Sequence, residues 1–506
     1  MRRLLTAVVA AASAVLLAGC GILPTPDTTS TPDAQGVQPA LRPFYDQAIV
    51  WKDCGGGLRC GTAQAPEDWS DPGGSRIHLA LIMRPASGKR IGTLFTNPGG
   101  PGVSGVDFLR SAAPAGFYDQ TLLDHYDIVS WDPRGVGASS AVDCYGTKQL
   151  DHFLFDDPDL PEGSAALRAD VVDSAVAFGR ACLARTGSLL AHVGTEDTIQ
   201  DLDMLRAAVG SAKLNYFGFS YGTYIGALYA DRYGSRVGRM VLDGAVDPST
   251  TSFEESLANT KAFGAALEAY LADCLRSTSC PFAGETVQGA VNRIASLLVR
   301  LRTSPQRASD GRDVNSVVLR SAIQNALYDE QSWPTLTAAI AALLRGKPDQ
   351  TQALADAYYD RGAHGYTSNL FEAIYAVSCL DKPVTTDPAT LREQGAELDA
   401  ADPLRAADNT EDLGDPVCGN WPEKVEGSPH RVTARGAPPI VVLGTTGDPA
   451  TPYAWAQSLA GQLPGGVLLT LRGQGHTAYR DHVACIDDRV DRFFVAGTVP
   501  DAVTCG

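Results

Sequence analysis

The stretch from Leu214 to Arg232 constrains this chain more than any other. The short run Leu214-Asn215-Tyr216-Phe217 leads straight into Gly218-Phe219-Ser220-Tyr221-Gly222, and helical periodicity starts at once over Tyr221 to Arg232. A strand that reverses into a helix across so few residues strains the backbone of its central residue. Small neighbours are then required, because side chains at Gly218 and Gly222 would collide with adjacent backbone. The pattern predicts a strand, a tight elbow with the Ser220 hydroxyl at its tip, and a helix.

Similar units surround it. Ile77, Leu79, Leu81 and Met83 alternate as a half-buried strand does, while Ile91 to Thr96 and Asp127 to Trp131 are short apolar runs closed by Gly/Pro-rich turns. Asp197 to Val209 reads as a helix and Val237 to Leu242 as a strand. Strands alternating with helices predict an α/β fold with a mostly parallel sheet. After Pro248 the strand signal stops, and helical spacing takes over in Phe263, Ala266, Leu267 and Tyr270, then in Ile294, Leu297, Leu298 and Leu301. Ile440 to Leu443 and Val467 to Leu471 resume the sheet pattern. The expected organisation is an α/β core over 41–248 and 431–506, divided by a helical cap over 249–430.

The amino terminus reads as an export signal. Arg2 and Arg3 precede an apolar run from Leu4 to Leu17, too short to span a bilayer comfortably, followed by Leu17-Ala18-Gly19-Cys20. The tetrapeptide resembles a bacterial lipobox, which implies removal of 1–19, lipidation of Cys20 and anchoring on the outer face of the cytoplasmic membrane. Residues 20–40, rich in Thr, Pro, Asp and Ser, are expected to form a flexible tether. Removing Arg2 and Arg3 moves the formal charge from −17 to −19. Such a surface repels phosphate, so nucleic acid is excluded as a partner, and a cationic group such as a free amino terminus is favoured.

Besides Cys20, ten cysteines remain, an even number suited to disulfides in an exported chain. Pairing sequence neighbours gives 54 with 60, 144 with 182, 274 with 280, 379 with 418 and 485 with 505, although one sequence leaves other connectivities open. No Cys-x-x-Cys pair suggests a metal site.

A serine hydroxyl needs a base, and the base needs an orienting carboxylate. Asp448 follows Ile440 to Leu443 through a Gly/Thr turn, and His476 follows Val467 to Leu471 through Arg472-Gly473-Gln474-Gly475. Both fall just past strand carboxyl ends, where an open α/β sheet assembles its site. Asp243, Asp247 and His482 are rivals for these roles. Asn97-Pro98-Gly99-Gly100-Pro101-Gly102 supplies a turn whose Gly100 N–H, together with that of Tyr221, can receive a developing oxyanion. This chemistry needs no cofactor.

These motifs, with Trp131-Asp132-Pro133-Arg134-Gly135, Asp201-Leu202-Asp203, Val241-Leu242-Asp243-Gly244 and Gly447-Asp448-Pro449, resemble the α/β-hydrolases of the proline iminopeptidase and tripeptidyl aminopeptidase type, especially secreted actinobacterial ones. The resemblance extends from Trp51 to Cys505. It implies an α/β-hydrolase fold with an inserted helical cap, and release of short peptides from a free amino terminus through an acyl-enzyme. Pro98 stands where iminopeptidases usually carry histidine, the pattern of the tripeptidyl branch. Glu196 and Asp197, opening the helix before the Ser220 strand, are candidates for the substrate ammonium, although Thr195 and both acids also suit a helix start. Thr451 is a further substrate-contact candidate; Glu254, Glu255 and Asp381 are acidic candidates without a positional argument. The same constellation cleaves esters, so a carboxylesterase or lipase acting on envelope esters is the second reading. An inactive binding module is the third, against which the intact Ser, Asp and His stand.

Overall fold

The computed structural model describes residues 27–506 apart from 159, 162, 402–403, 405–412 and 480–482. The signal segment, Cys20 and His482 lie outside the described residues.

Eleven strands form one sheet: β1 (Thr28–Thr29), β2 (Val50–Asp53), β3 (Arg59–Pro66), β4 (Arg76–Arg84), β5 (Gly92–Asn97), β6 (Tyr126–Trp131), β7 (Leu214–Phe219), β8 (Val237–Asp243), β9 (Val441–Gly447), β10 (Val467–Gln474) and β11 (Val503–Cys505). Their spatial order is β1-β2-β3-β4-β6-β5-β7-β8-β9-β10-β11. Pairing is antiparallel up to β4 against β6 and parallel from β6 onward. β5 therefore has β6 on one side and β7 on the other, so successive connections leave in opposite directions. The crevice beyond the carboxyl ends of β5 and β7 is the topological switch point where such sheets bind ligands.

Alternation along the strands fills both faces. Tyr216, Met240 and Leu242 join one buried cluster with Ile199, Leu202 and Ile225. Phe217, Val241 and Leu443 join another with Ile486, Val490 and Phe494. The cap helices between β8 and β9 have their own cluster, built from Leu267, Tyr270, Ile294, Leu298, Leu319 and Leu336. Phe155, at the end of a helix over Thr147–Phe155 that precedes the cap in sequence, belongs to it as well. Two two-stranded ribbons, Gln306–Arg307 with Asp313–Val314 and Arg361–Gly362 with Gly365–Tyr366, interrupt the helices. All five disulfides join sequence neighbours.

One expectation needs correcting. The described part of the 20–40 segment is docked on the core: Thr28 and Thr29 pair with Trp51 and Val50, Ser30 Oγ donates to Ala208 O at 2.6 Å, and Asp33 N donates to Ala207 O at 2.8 Å. A chain poor in apolar side chains is held here by backbone pairing and the Ser30 hydroxyl, with Ala34 and Val37 packed against the core.

Candidate active site

Ser220 follows β7 and opens helix α2 (Tyr221–Tyr233), while helix α1 (Thr195–Ala208) precedes the strand. Its backbone, at φ 55° and ψ −127°, is strained for a side-chain-bearing residue. The conformation is held by Ser220 N donating to Asp243 O at 2.9 Å. A side chain at Gly218 would meet Gly222 O at 2.4 Å. The turn after β5 lies directly against this elbow. A Cβ on Gly99, at φ 102°, would come within 2.6 Å of Phe219 O and 3.0 Å of Tyr221 N. Gly100, Ser220 and Tyr221 line one cavity at the switch point.

β9 and β10 bring the other pair together. His476 Nδ1 lies 2.9 Å from both carboxylate oxygens of Asp448. Asp448 is buried, and the cost is offset by Ala450 N, Thr451 N and Thr451 Oγ1, each donating to it at 2.9 Å. Burial disfavours the imidazolium, but the charge and hydrogen bond of Asp448 outweigh that effect, and the His476 pKa lies above the ordinary histidine value. Its Nε2 is buried without a hydrogen-bond partner among the described residues, the state expected of a base awaiting a proton. His476 N donates to Tyr328 O at 2.8 Å, and the Tyr328 ring stands edge-on to the imidazole at 5.5 Å. A Cβ on Gly244, one residue past the carbonyl that holds Ser220, would lie 3.0 Å from His476 Cε1. Serine and imidazole thus flank the same end of β8.

The cavity beside Ser220 measures about 350 Å³ and is roofed by the cap. Helix α3 (Ser252–Cys274) contributes Glu255, and the end of helix α5 (Leu370–Asp381) contributes Asp381, followed by Lys382. Helix α4 (Ser316–Leu327) lies between them in sequence. Lys382 Nζ pairs with Glu255 and donates to Thr250 O at 3.0 Å. Asp381 accepts from Thr195 N at 2.7 Å and Thr195 Oγ1 at 2.6 Å. Since that hydroxyl proton is committed, Tyr221 OH donates to Thr195 Oγ1 in turn. Burial pushes the Asp381 carboxyl up to about 7 and raises that of Glu255, Lys382 opposing the latter.

Residues 402–505 match the family described as TAP-like protein. The chain is 36% identical over 446 residues to Carboxylesterase B of Mycobacterium tuberculosis, covering 87% of this chain and 85% of that protein. It is 36% identical over 481 residues to Serine protease Hip1 of the same organism, covering 90% and 91%. With Tripeptidyl aminopeptidase of Streptomyces coelicolor it shares 30% over 490 residues, covering 94% and 88%. The chain belongs to the tripeptidyl-aminopeptidase-like family of α/β-hydrolases. It is a serine hydrolase.

Within this hydrolase the rival residues have other employment. Asp243 accepts from Ala478 N at 2.9 Å and Tyr479 N at 2.8 Å, holding the loop after His476. Asp247 closes a turn through Ser249 N and also accepts from Gln462. Glu196 and Asp197 do not line the cavity: Glu196 pairs with Arg232 at 3.2 Å, and Asp197 faces Arg134 at 3.4 Å and His192 at 3.7 Å. The helix start does face the site, but through Thr195, and Gly194 rather than Thr195 is its N-cap. Thr451 lines the cavity while its hydroxyl is spent on Asp448. Arg134, fully buried, forks onto Asp201 with two bonds of 2.8 Å, so this motif ties the loop after β6 to α1.

Thr251 and Glu254 form a capping box, while Glu255, also in the first turn, accepts from Thr250 Oγ1 at 3.2 Å. Nothing in the local pattern marks Lys382 or Tyr328.

Proposed function

We propose that this serine hydrolase is an aminopeptidase that releases short peptides, tripeptides in the first instance, from a free amino terminus through an acyl-enzyme. Ser220 attacks the scissile carbonyl and His476 takes its proton. Asp448 orients the imidazole, and the N–H groups of Gly100 and Tyr221 receive the oxyanion. His476 then protonates the departing amine, and water hydrolyses the ester.

The observation that carries the reading is the set of cap carboxylates in the cavity that also holds Ser220: Glu255, Asp381 and Asp415, the last accepting from Val417 N at 3.0 Å and Cys418 N at 2.9 Å, which leaves the first two for recognition. Lys382 already pairs with Glu255, whereas Asp381 is held by Thr195 without an ion pair among the described residues; a buried carboxylate gains most from a fixed cation, and a substrate ammonium supplies one. The relative named Tripeptidyl aminopeptidase supports the same reading. Export and anchoring through Cys20 complete the proposal. The relative named Carboxylesterase B favours a second reading, ester hydrolysis.

A tripeptide anilide, its amino-acetylated counterpart and a short acyl ester separate the two. The aminopeptidase reading expects acetylation to lower kcat/KM by about a hundredfold or more, from loss of a buried charge pair. Equal rates with and without the acetyl group would refute it.

A further inference from the structure

A second chamber, about 610 Å³, adjoins the first and meets it at Gly100, Ser256, Asn259, Tyr328 and Ala450. It differs from the first in charge and in having an aromatic side. Phe263, Leu267, Ile323, Leu327, Tyr358 and Phe371 line that side, Asn259, Thr260, Arg320 and Gln324 line a polar one, and no carboxylate lines it among the described residues. Phe263 is informative. It continues the apolar spacing of α3, yet it is only half-buried, whereas Leu267 and Tyr270 one and two turns further on are sealed in the cap core.

Ser220, Glu255 and Asp381 border the first chamber but not the second, and Gly100 borders both. On the aminopeptidase reading, a substrate with its ammonium near Glu255 and Asp381 and its scissile carbonyl at Gly100 has one direction left for the portion beyond the bond. We infer that the second chamber receives the first residue on the leaving side of the scissile bond and selects an apolar, preferably aromatic, side chain there. The inference rests on that reading for the direction of the chain. The apolar side rewards burial of such a side chain, and an ammonium entering the chamber loses its hydration beside the like charge of Arg320, with no lining carboxylate among the described residues to offset it.

The test uses free-amino tripeptides extended by phenylalaninamide, leucinamide, glycinamide, aspartamide or lysinamide, with an amino-acetylated version of each. Phenylalanine and leucine should be released faster than glycine or lysine by on the order of tenfold to a hundredfold, with aspartate above lysine because of Arg320. Gly264→Leu fills the chamber from α3. An added Cβ meets only Ala401 O at 3.7 Å, and leucine is the better helix former. This variant should lose about tenfold or more on the phenylalanine substrate while keeping its glycinamide rate. Rates indifferent to the leaving residue, or an equal loss on glycine and phenylalanine, would overturn the inference. Equal hydrolysis of the acetylated set refutes the aminopeptidase reading instead, and the ranking of leaving residues within that set still decides this one. A Gly264→Leu effect that tracks acyl-chain length in a nitrophenyl ester series would assign the chamber to the acyl side and also overturn it.

Discussion

The sheet end and the cap each place buried aspartates beside Ser220, and they hold them in different ways. Asp448 lies in a cage made largely by its own loop, where Ala450 and Thr451 donate to it, and His476 adds a bond from the loop after β10. Asp381 hangs from a cap helix and reaches across to the core, where Thr195 alone supplies both of its short bonds. A carboxylate bound by its own loop keeps its geometry whatever enters the cavity. One suspended between two layers responds to what lies between them. The sheet end thus suits fixed chemistry, and the cap suits recognition.

The largest effects should fall on the sheet side. Asp448→Asn is expected to lower kcat by about ten-thousandfold with little change in KM, because the imidazole loses its orienting acceptor. The acid limb of its pH profile should move down, since Asp448 is what holds the His476 pKa up. A comparable rise in KM would break the contrast between the two regions.

On the cap side the order reverses. Asp381→Asn and Glu255→Gln should raise KM for free-amino substrates by about ten- to a hundredfold while barely altering hydrolysis of a short ester, as steady-state kinetics on both substrates would reveal. Smaller again, Thr451→Val should cost about tenfold in kcat through one lost bond to a charged group, with KM held. The pH dependence sharpens the point. Asp381 is neutral below about 7 and charged above it, so KM should climb as pH falls through that value, and Asp381→Asn should flatten the climb. Smallest of all, Glu196→Gln should shift neither constant by more than about twofold, since it removes only a surface pair.

The core was readable because its strands carry two signals at once, an apolar run and a Gly/Pro turn at its end; Leu214–Phe219 and Val441–Gly447 are cases of both. Asp448 and His476 could be picked out because parallel strands deliver their following loops to one edge. Two features escaped. Thr28 and Thr29 dock with exposed side chains, through backbone bonds that hydropathy does not register. The task of Asp381 depends on Thr195, 186 residues away, and no local spacing encodes that distance. Glu196 and Asp197 open the helix whose Thr195 meets Asp381, but a helix start presents several residues in different directions, and Arg232 and Arg134 claim these two.

The turn after β5 also touches the cap. A Cβ on Gly102 would strike Leu370 O, at the first residue of α5, at 2.6 Å. The loop proposed to stabilise the oxyanion is therefore wedged between the elbow and the roof, with no room for so much as a methyl group. This has a consequence for inheritance. Caps cannot be exchanged freely among relatives, since a transplanted insertion must bring a helix end of matching height to meet that glycine. Any swinging of the cap that admits a long substrate must also pull Leu370 away from Gly102, so the same contact that limits recombination would register each opening.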